Sequence, residues 1–185
     1  MNITAPLDKE TVKSLKAGDN VLISGIIYTA RDAAHERMVK NYEKDGKFPI
    51  DLEGQIIYYA GPCPAKPGEV IGSCGPTTSG RMDKYTPLLL ENGLAGMLGK
   101  GGRNAEVTEA IKRCKCVYLG ALGGAGALIA ETIKESEVVA YDDLGTEAIR
   151  RLKVENLPAV VLIDSDGHCL YDEGKRKFAQ IQTEQ

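Results

Sequence analysis

The stretch Val21-Leu-Ile-Ser-Gly-Ile-Ile-Tyr28, followed at once by Thr29-Ala-Arg-Asp-Ala-Ala-His35 and a polar-apolar run to Lys44, decides the fold class. Its first part is apolar and β-rich and its second has helical character, so the chain passes from strand to helix without a linker. Thr29 with Asp32 three residues on has the form of a capping box, which predicts a helix from about Ala30 to just before Asp45-Gly46. The alternation recurs downstream. Strands are expected at 55–60, 94–98, 117–119, 138–141 and 158–164, and helices at about 80–92, after Asn104, at 125–134 and at 146–154. Residues 61–78 hold too much Gly and Pro to be helix or central strand and read as loop. Asp166-Gly167 reads as a turn leading into a hairpin with 168–171, and the tail after Gly174 reads as frayed. This pattern predicts an α/β fold with a largely parallel sheet, in a single domain over residues 1–185 with no internal repeat.

Composition narrows the function classes. A chain of 185 residues that is 43% hydrophobic and 26% charged can bury a core, and with no Trp and two Phe that core is aliphatic. A net charge of -3 gives no general attraction to nucleic acid or to an anionic membrane, so any anion site is local. Residues 1–13 lack an apolar signal region, and no run reaches the roughly 18 apolar residues that cross a bilayer, which leads to the expectation of a cytoplasmic protein. The five cysteines (Cys63, Cys74, Cys114, Cys116, Cys169) are odd in number and sparse, which suits a reducing compartment.

The most informative pattern is a repeated local conflict. Helix N-termini favour anions and disfavour Arg and Lys. Yet Arg31 is expected in the first turn of one helix and Arg81 in the first turn of the next, with Lys100 and Arg103 just ahead of the third. Rules of this sort are broken at functional sites, and in α/β folds the strand-to-helix turns share the ligand-binding edge. Arg31 could pair with Glu36 or another surface acid. Against that, Gly75-Pro-Thr-Thr-Ser-Gly80 places small and hydroxyl residues directly before Arg81, with Thr77 one turn away, in a composition that lets an anion approach closely. Together these residues predict an anion clamp, in which Arg grips a carboxylate bidentately.

Other motifs carry less. Lys100-Gly-Gly-Arg103 lacks P-loop spacing, and Gly120-Ala-Leu-Gly-Gly-Ala-Gly126 lacks the Gly-x-Gly-x-x-Gly of a dinucleotide site, so close helix packing explains its small residues. His35 falls on the same helix face as Arg31, where a supporting or proton-transfer role competes with plain packing. His168, beside a turn, reads as structural. The cysteines match no iron-sulphur motif, and two histidines 133 residues apart offer no metal-ligand spacing, so no metal site is expected in this chain.

Ser24-Gly25, Thr29-Ala-Arg-Asp-Ala-Ala-His35, Tyr59-Ala-Gly-Pro62, Gly75-Pro-Thr-Thr-Ser-Gly-Arg-Met-Asp83, Gly99-Lys-Gly-Gly102 and Tyr118-Leu-Gly120 together resemble the β subunit, or C-terminal domain, of the class I fumarase and L-tartrate dehydratase family, from about Thr4 to Asp172. The resemblance implies a three-layer β/β/α domain of the swivelling type and a [4Fe–4S] cluster held by a separate α subunit, in a hetero-oligomer of α2β2 form. It implies that Arg31, Thr77, Arg81 and Lys100 face a small dicarboxylate, and that Thr4, in Ile-Thr-Ala-Pro-Leu, takes part in proton transfer. The implied activity is reversible hydration of fumarate to malate by a hydro-lyase complete only with its α subunit. The alternatives are an L-tartrate dehydratase β subunit and, from another class, a stand-alone anion-binding regulatory module.

Overall fold

Alternation of side chains across each strand builds the molecule from the inside out. The structure, a computed structural model, describes residues 1–121 and 124–183. Strands β1 (Asn2–Ala5), β2 (Asn20–Thr29), β3 (Ile56–Tyr58), β4 (Gly96–Gly99), β5 (Val117–Gly120), β6 (Ile133–Ala140) and β7 (Ile149–Ile163) form one sheet of seven strands in the order β1-β2-β3-β4-β5-β7-β6. Strands β1 to β5 run parallel to their neighbours, as expected for an α/β chain. The sheet also closes. β7 is antiparallel to β2 over Arg150–Val160 and to β5 over Val160–Ile163, so β2, β3, β4, β5 and β7 make a five-stranded ring that no local pattern in the sequence announces.

Two apolar layers follow from the pleat. Ile56 and Tyr58 of β3 point into the ring with Ile23, Ile27, Leu98, Leu119 and Leu152. Ile57 and Tyr59 point outward and are covered with Met97 and Tyr118 by helices α2 (Asp32–Asp45), α3 (Thr86–Glu91) and α4 (Ala105–Cys114). Helix α1 (Lys9–Ser14) supplies Val12 to the inner cluster and α5 (Gly126–Thr132) supplies Ile129. Helix α6 (Leu170–Thr183) follows β7, so the backbone after Gly174 continues a helix. No helix among the described residues is long and apolar enough to cross a membrane.

Several local expectations are corrected. The expected helix at 146–154 does not form: 146–147 end a short 3-10 segment (Asp142–Glu147), and 149–154 are the first half of β7, held between β2 and β6. The i, i+3 spacing of Ile149 and Leu152 mimics a helical face, but the two residues enter opposite layers of the structure. Lys153 pairs across to Glu135 at 2.9 Å, a cross-strand contact and not a helical one. The expected helix at 80–92 splits into a 3-10 turn (Ser79–Met82) and α3, because Pro87 at the start of α3 has no N–H to donate to a preceding turn. Thr29 does not cap α2. It ends β2, and its hydroxyl accepts the Arg150 N–H at 3.2 Å instead. The 168–171 hairpin reduces to one bridge, Ile163 to Cys169, before α6 begins. In the glycine-rich run 120–126, Leu122 and Gly123 lie outside the described residues.

Gly25 fixes the attachment of β1 to the ring. Its φ is +106°, and a Cβ there would overlap the Ala5 carbonyl oxygen of the paired strand. Gly25→Ala is expected to cost about 2 kcal/mol or more through backbone strain and overlap, read as a lowered denaturant midpoint. An unchanged midpoint would show that the β1–β2 contact is not that tight.

Candidate functional site

The carboxyl ends of β2, β3 and β4 carry the expected clamp residues on neighbouring turns. After β2 the chain reaches Arg31, which sits at the N-cap of α2 in extended conformation, one residue before the first helical turn. Its guanidinium lies 3.9 Å from Asp32 and 3.6 Å from Glu147, so Glu36 is not its partner; Glu36 pairs with Lys40. A Cβ at Gly61 would come within 2.8 Å of Arg31 Nη1 and 2.9 Å of its Cδ, so the absence of a side chain at position 61 gives Arg31 its path. Glu147 also accepts the Ala33 N–H at 2.9 Å, satisfying one of the donors at the start of α2.

Arg81 leaves the 3-10 turn about half exposed, and its Nε lies 2.8 Å from Asp32 Oδ1. Asp32 is therefore shared by both arginines, on one side of the site. A guanidinium has five N–H donors, and this pairing engages Arg81 through Nε, leaving its terminal nitrogens as a fork. Arg81 is thus in the last turn of a 3-10 segment and not in the first turn of an α-helix, yet it still meets the α2 start.

Thr77 and Lys100 are joined through the segment between Thr77 and Arg81. The Thr77 N–H donates to the Tyr59 carbonyl at 2.7 Å, and Thr78 bridges Lys100 in parallel fashion. Ser79 N–H donates to the Lys100 carbonyl at 2.9 Å, and the Lys100 N–H donates to Ser79 Oγ at 3.1 Å. Lys100 is itself exposed, with no ion pair among the described residues.

Arg103, expected beside Lys100 at the third helix start, turns inward. Its side chain is fully buried; Nε donates to Asp83 at 2.6 Å and Nη2 to the Thr86 hydroxyl at 2.7 Å. Its guanidinium carbon lies 5.4 Å from the Tyr59 ring centre and 5.0 Å from that of Tyr118. Asp83 also accepts the Asn104 N–H at 2.8 Å, while Asn104 caps α4 by accepting from Val107 at 2.8 Å. The lysine of Lys100-Gly-Gly-Arg103 thus faces solvent while its arginine fastens the loop from within.

His35 is fully buried against Tyr59, ring centres 5.3 Å apart. Its Nδ1 lies 2.9 Å from the Arg31 carbonyl, which can only accept, so Nδ1 carries the proton and Nε2 is left as a buried acceptor without a partner. Burial pushes the imidazole down to about 4, opposed by the bond to Arg31. His35 therefore supports the Arg31 backbone as a neutral ring. Thr4 stands apart: it is exposed on β1 and level with Ser24, five positions and about 16 Å of strand before Thr29.

Sequence reasoning did not nominate Asp32, Glu147, Asp83 or Ser79. Asp32 and Asp83 lie inside the motifs that flagged their arginine neighbours, but an acid next to a cation is too common to single out. Glu147 was hidden by the mistaken helix.

The cysteines do not fit an iron-sulphur cluster. Burial raises the thiols of Cys74 and Cys116 to about 12, opposite to the thiolate a cluster requires, and Cys116 Sγ lies 3.1 Å from the Leu94 carbonyl. Among the described residues one group of three potential metal ligands occurs, Asp164, Asp166 and His168. Asp164 is already engaged there by the N–H groups of Asp166 and His168 and by the His168 ring, which makes this a turn scaffold. A groove of about 610 Å³ between the 63–73 loop and α5 is lined by none of Arg31, Thr77, Arg81 and Lys100.

The fold is that of an α/β domain with a closed five-stranded ring, and comparison with known proteins places it. The family model described as Fumarase C-terminus matches residues 1–174, and the chain belongs to this family. A Methanocaldococcus jannaschii protein provisionally named L(+)-tartrate dehydratase subunit beta is 40% identical over 184 residues, covering 96% of this chain and 94% of its own length. "Fumarate hydratase class I, aerobic" of Escherichia coli K12 is 40% identical over 88% of this chain, and "Fumarate hydratase 2" of Leishmania major is 34% identical over 94% of it. The chain spans only 29% and 31% of those two proteins' lengths.

His35 makes a pH prediction. An unfolded histidine takes its proton near 6.5 and the folded one only near 4, so stability is complete above about pH 6.5 and declines as pH falls towards 4. The decline amounts to on the order of 3 kcal/mol. Denaturant titrations from pH 7 to 4 should show His35→Gln losing less stability than wild type over that window; parallel losses would contradict a buried neutral ring.

Proposed function

We propose that this chain is the carboxylate-binding half of a two-chain hydro-lyase that adds water to fumarate, with its activity completed by an α subunit. The observation that carries the reading is the convergence of Arg31, Arg81 and Lys100 on adjacent turns, with Asp32 engaging Arg81 only through Nε. The name of the archaeal relative, a β subunit, supports a partner chain. The domain is read as a single unit of the swivelling three-layer type, in a cytoplasmic hetero-oligomer. A [4Fe–4S] cluster held by the α subunit supplies the Lewis acid for the hydroxyl.

What this chain contributes is binding and charge. The free fork of Arg81 and the side chain of Arg31 take the carboxylates, Lys100 adds a point charge, and the Thr77 hydroxyl donates or accepts beside them. As the α-carbon gains carbanion character the conjugated carboxylate gains negative charge, and the guanidinium groups of Arg31 and Arg81 stabilise that state more than the ground state, while Lys100 binds the carboxylate alike in both. Asp32 keeps both guanidinium groups oriented before the ligand arrives, so less ordering remains for the binding step.

A second reading, an L-tartrate dehydratase β subunit, is favoured by the archaeal relative that matches over almost its whole length. The two are separated by co-expressing this chain with its α subunit under anaerobic conditions and following fumarate absorbance against a tartrate control. Arg81→Ala should abolish turnover of the reconstituted pair, by at least about a hundredfold, with the circular dichroism of this chain unchanged. Near-normal turnover in that variant would remove the clamp.

A further inference from the structure

Lys100 is held by a closed set of hydrogen bonds that begins at Tyr118 of β5. Tyr118 Oη lies 2.8 Å from the Gly101 carbonyl and 2.9 Å from Ser79 Oγ. The carbonyl can only accept, so the tyrosine gives its single proton to Gly101 and accepts the proton of Ser79. Ser79 Oγ in turn accepts the Lys100 N–H, and the Ser79 N–H donates to the Lys100 carbonyl. Both polar backbone groups of Lys100 and the carbonyl of Gly101 are thus set by two buried side-chain-bearing residues, neither of which reaches the surface. Ser79 lies two residues before Arg81 and two after Thr77, so the same atom fixes the offset between the two cation-bearing turns.

The surroundings keep this set closed. A Cβ at Gly99 would overlap Ser79 Oγ, so the strand residue before Lys100 has to be glycine for the serine to enter. The Tyr118 ring is packed against the Arg103 guanidinium, which holds the phenol in place. Burial raises the phenol well above its ordinary range, against the lowering effects of Ser79 and Arg103, so it remains a donor at every working pH.

We propose that Tyr118 and Ser79 are positioning residues for the reaction: through hydrogen bonds to the backbone of Lys100 and Gly101 they set Lys100 at a fixed offset from Arg81 and Thr77. The inference rests on the hydro-lyase reading above. It makes Tyr118, which touches no ligand, a determinant of substrate affinity.

Tyr118→Phe keeps the ring and removes the hydroxyl. In the complex with the α subunit it should raise KM for the dicarboxylate by about tenfold with kcat changed less than about threefold, because Lys100 contacts the carboxylate before and during the chemical step. A variant that was merely less well folded would lower the active fraction, and with it kcat, at unchanged KM. Ser79→Ala should behave as Tyr118→Phe does. Amide hydrogen exchange of the full chain gives a readout independent of turnover: in Tyr118→Phe the Lys100 amide should exchange at least about tenfold faster while the amide of Ile111 in α4 keeps its wild-type rate. Wild-type exchange at Lys100, or faster exchange with an unchanged KM, would overturn the inference. Loss of turnover in Arg81→Ala alongside a wild-type Tyr118→Phe would defeat this inference alone, whereas normal turnover in Arg81→Ala would defeat the reading beneath it.

Discussion

The ion pair between Arg103 and Asp83 is the constraint on which the candidate site depends. It lies beneath the surface between the rings of Tyr59 and Tyr118, and its two members come from different connections: Asp83 from the turn that carries Arg81, Arg103 from the loop that carries Lys100. A buried ion pair adds little net stability over an apolar replacement, but removing one partner leaves an uncompensated charge at a cost of about 3–5 kcal/mol. Its value here is placement. With Arg103 drawn inward and Thr86 and Asn104 also engaged, the two loops can sit in only one relative position. Lys100, three residues earlier, is left outside.

A division of labour among like charges follows. Arg103 is spent entirely on structure, Arg31 is partly neutralised by Asp32 and Glu147, and Arg81 and Lys100 keep most of their donors free. The acids do not cancel the site. Asp32 and Glu147 lower the repulsion between close cations in the unliganded chain and hold them at the α2 start. The closed ring of β2, β3, β4, β5 and β7 makes the base of these turns stiff, because β7 ties the two ends of the parallel strands together.

Much of this was legible in the sequence, for identifiable reasons. Strand β2 and helix α2 were readable because apolar alternation gives way to helical spacing at a single point, and Gly46 ends the helix in the left-handed conformation expected of it. The candidate cations drew notice because Arg31, Arg81 and Lys100 were all expected at helix starts, where such charges are disfavoured; of the three only Arg31 stands at one, while Arg81 lies in the last turn of a 3-10 segment and Lys100 directly follows β4. The closure of the sheet was not readable, since it depends on β7 changing neighbours along its length, a long-range pairing without a local signal. Nor could a pattern of cations distinguish Lys100 from Arg103. That difference is made by Tyr59, Tyr118, Thr86 and Asp83, which come together only in three dimensions.

On the proposed function, this chain grips a dicarboxylate with cations displayed on the outside of turns locked from the inside. The most direct test is a crystal structure of the anaerobic complex of this chain with its α subunit and a bound dicarboxylate. Carboxylate oxygens are expected within hydrogen-bonding distance of Arg31, Arg81 and Lys100, with Arg103 still buried against Asp83. A dicarboxylate bound elsewhere, or one contacted by Arg103, would contradict it.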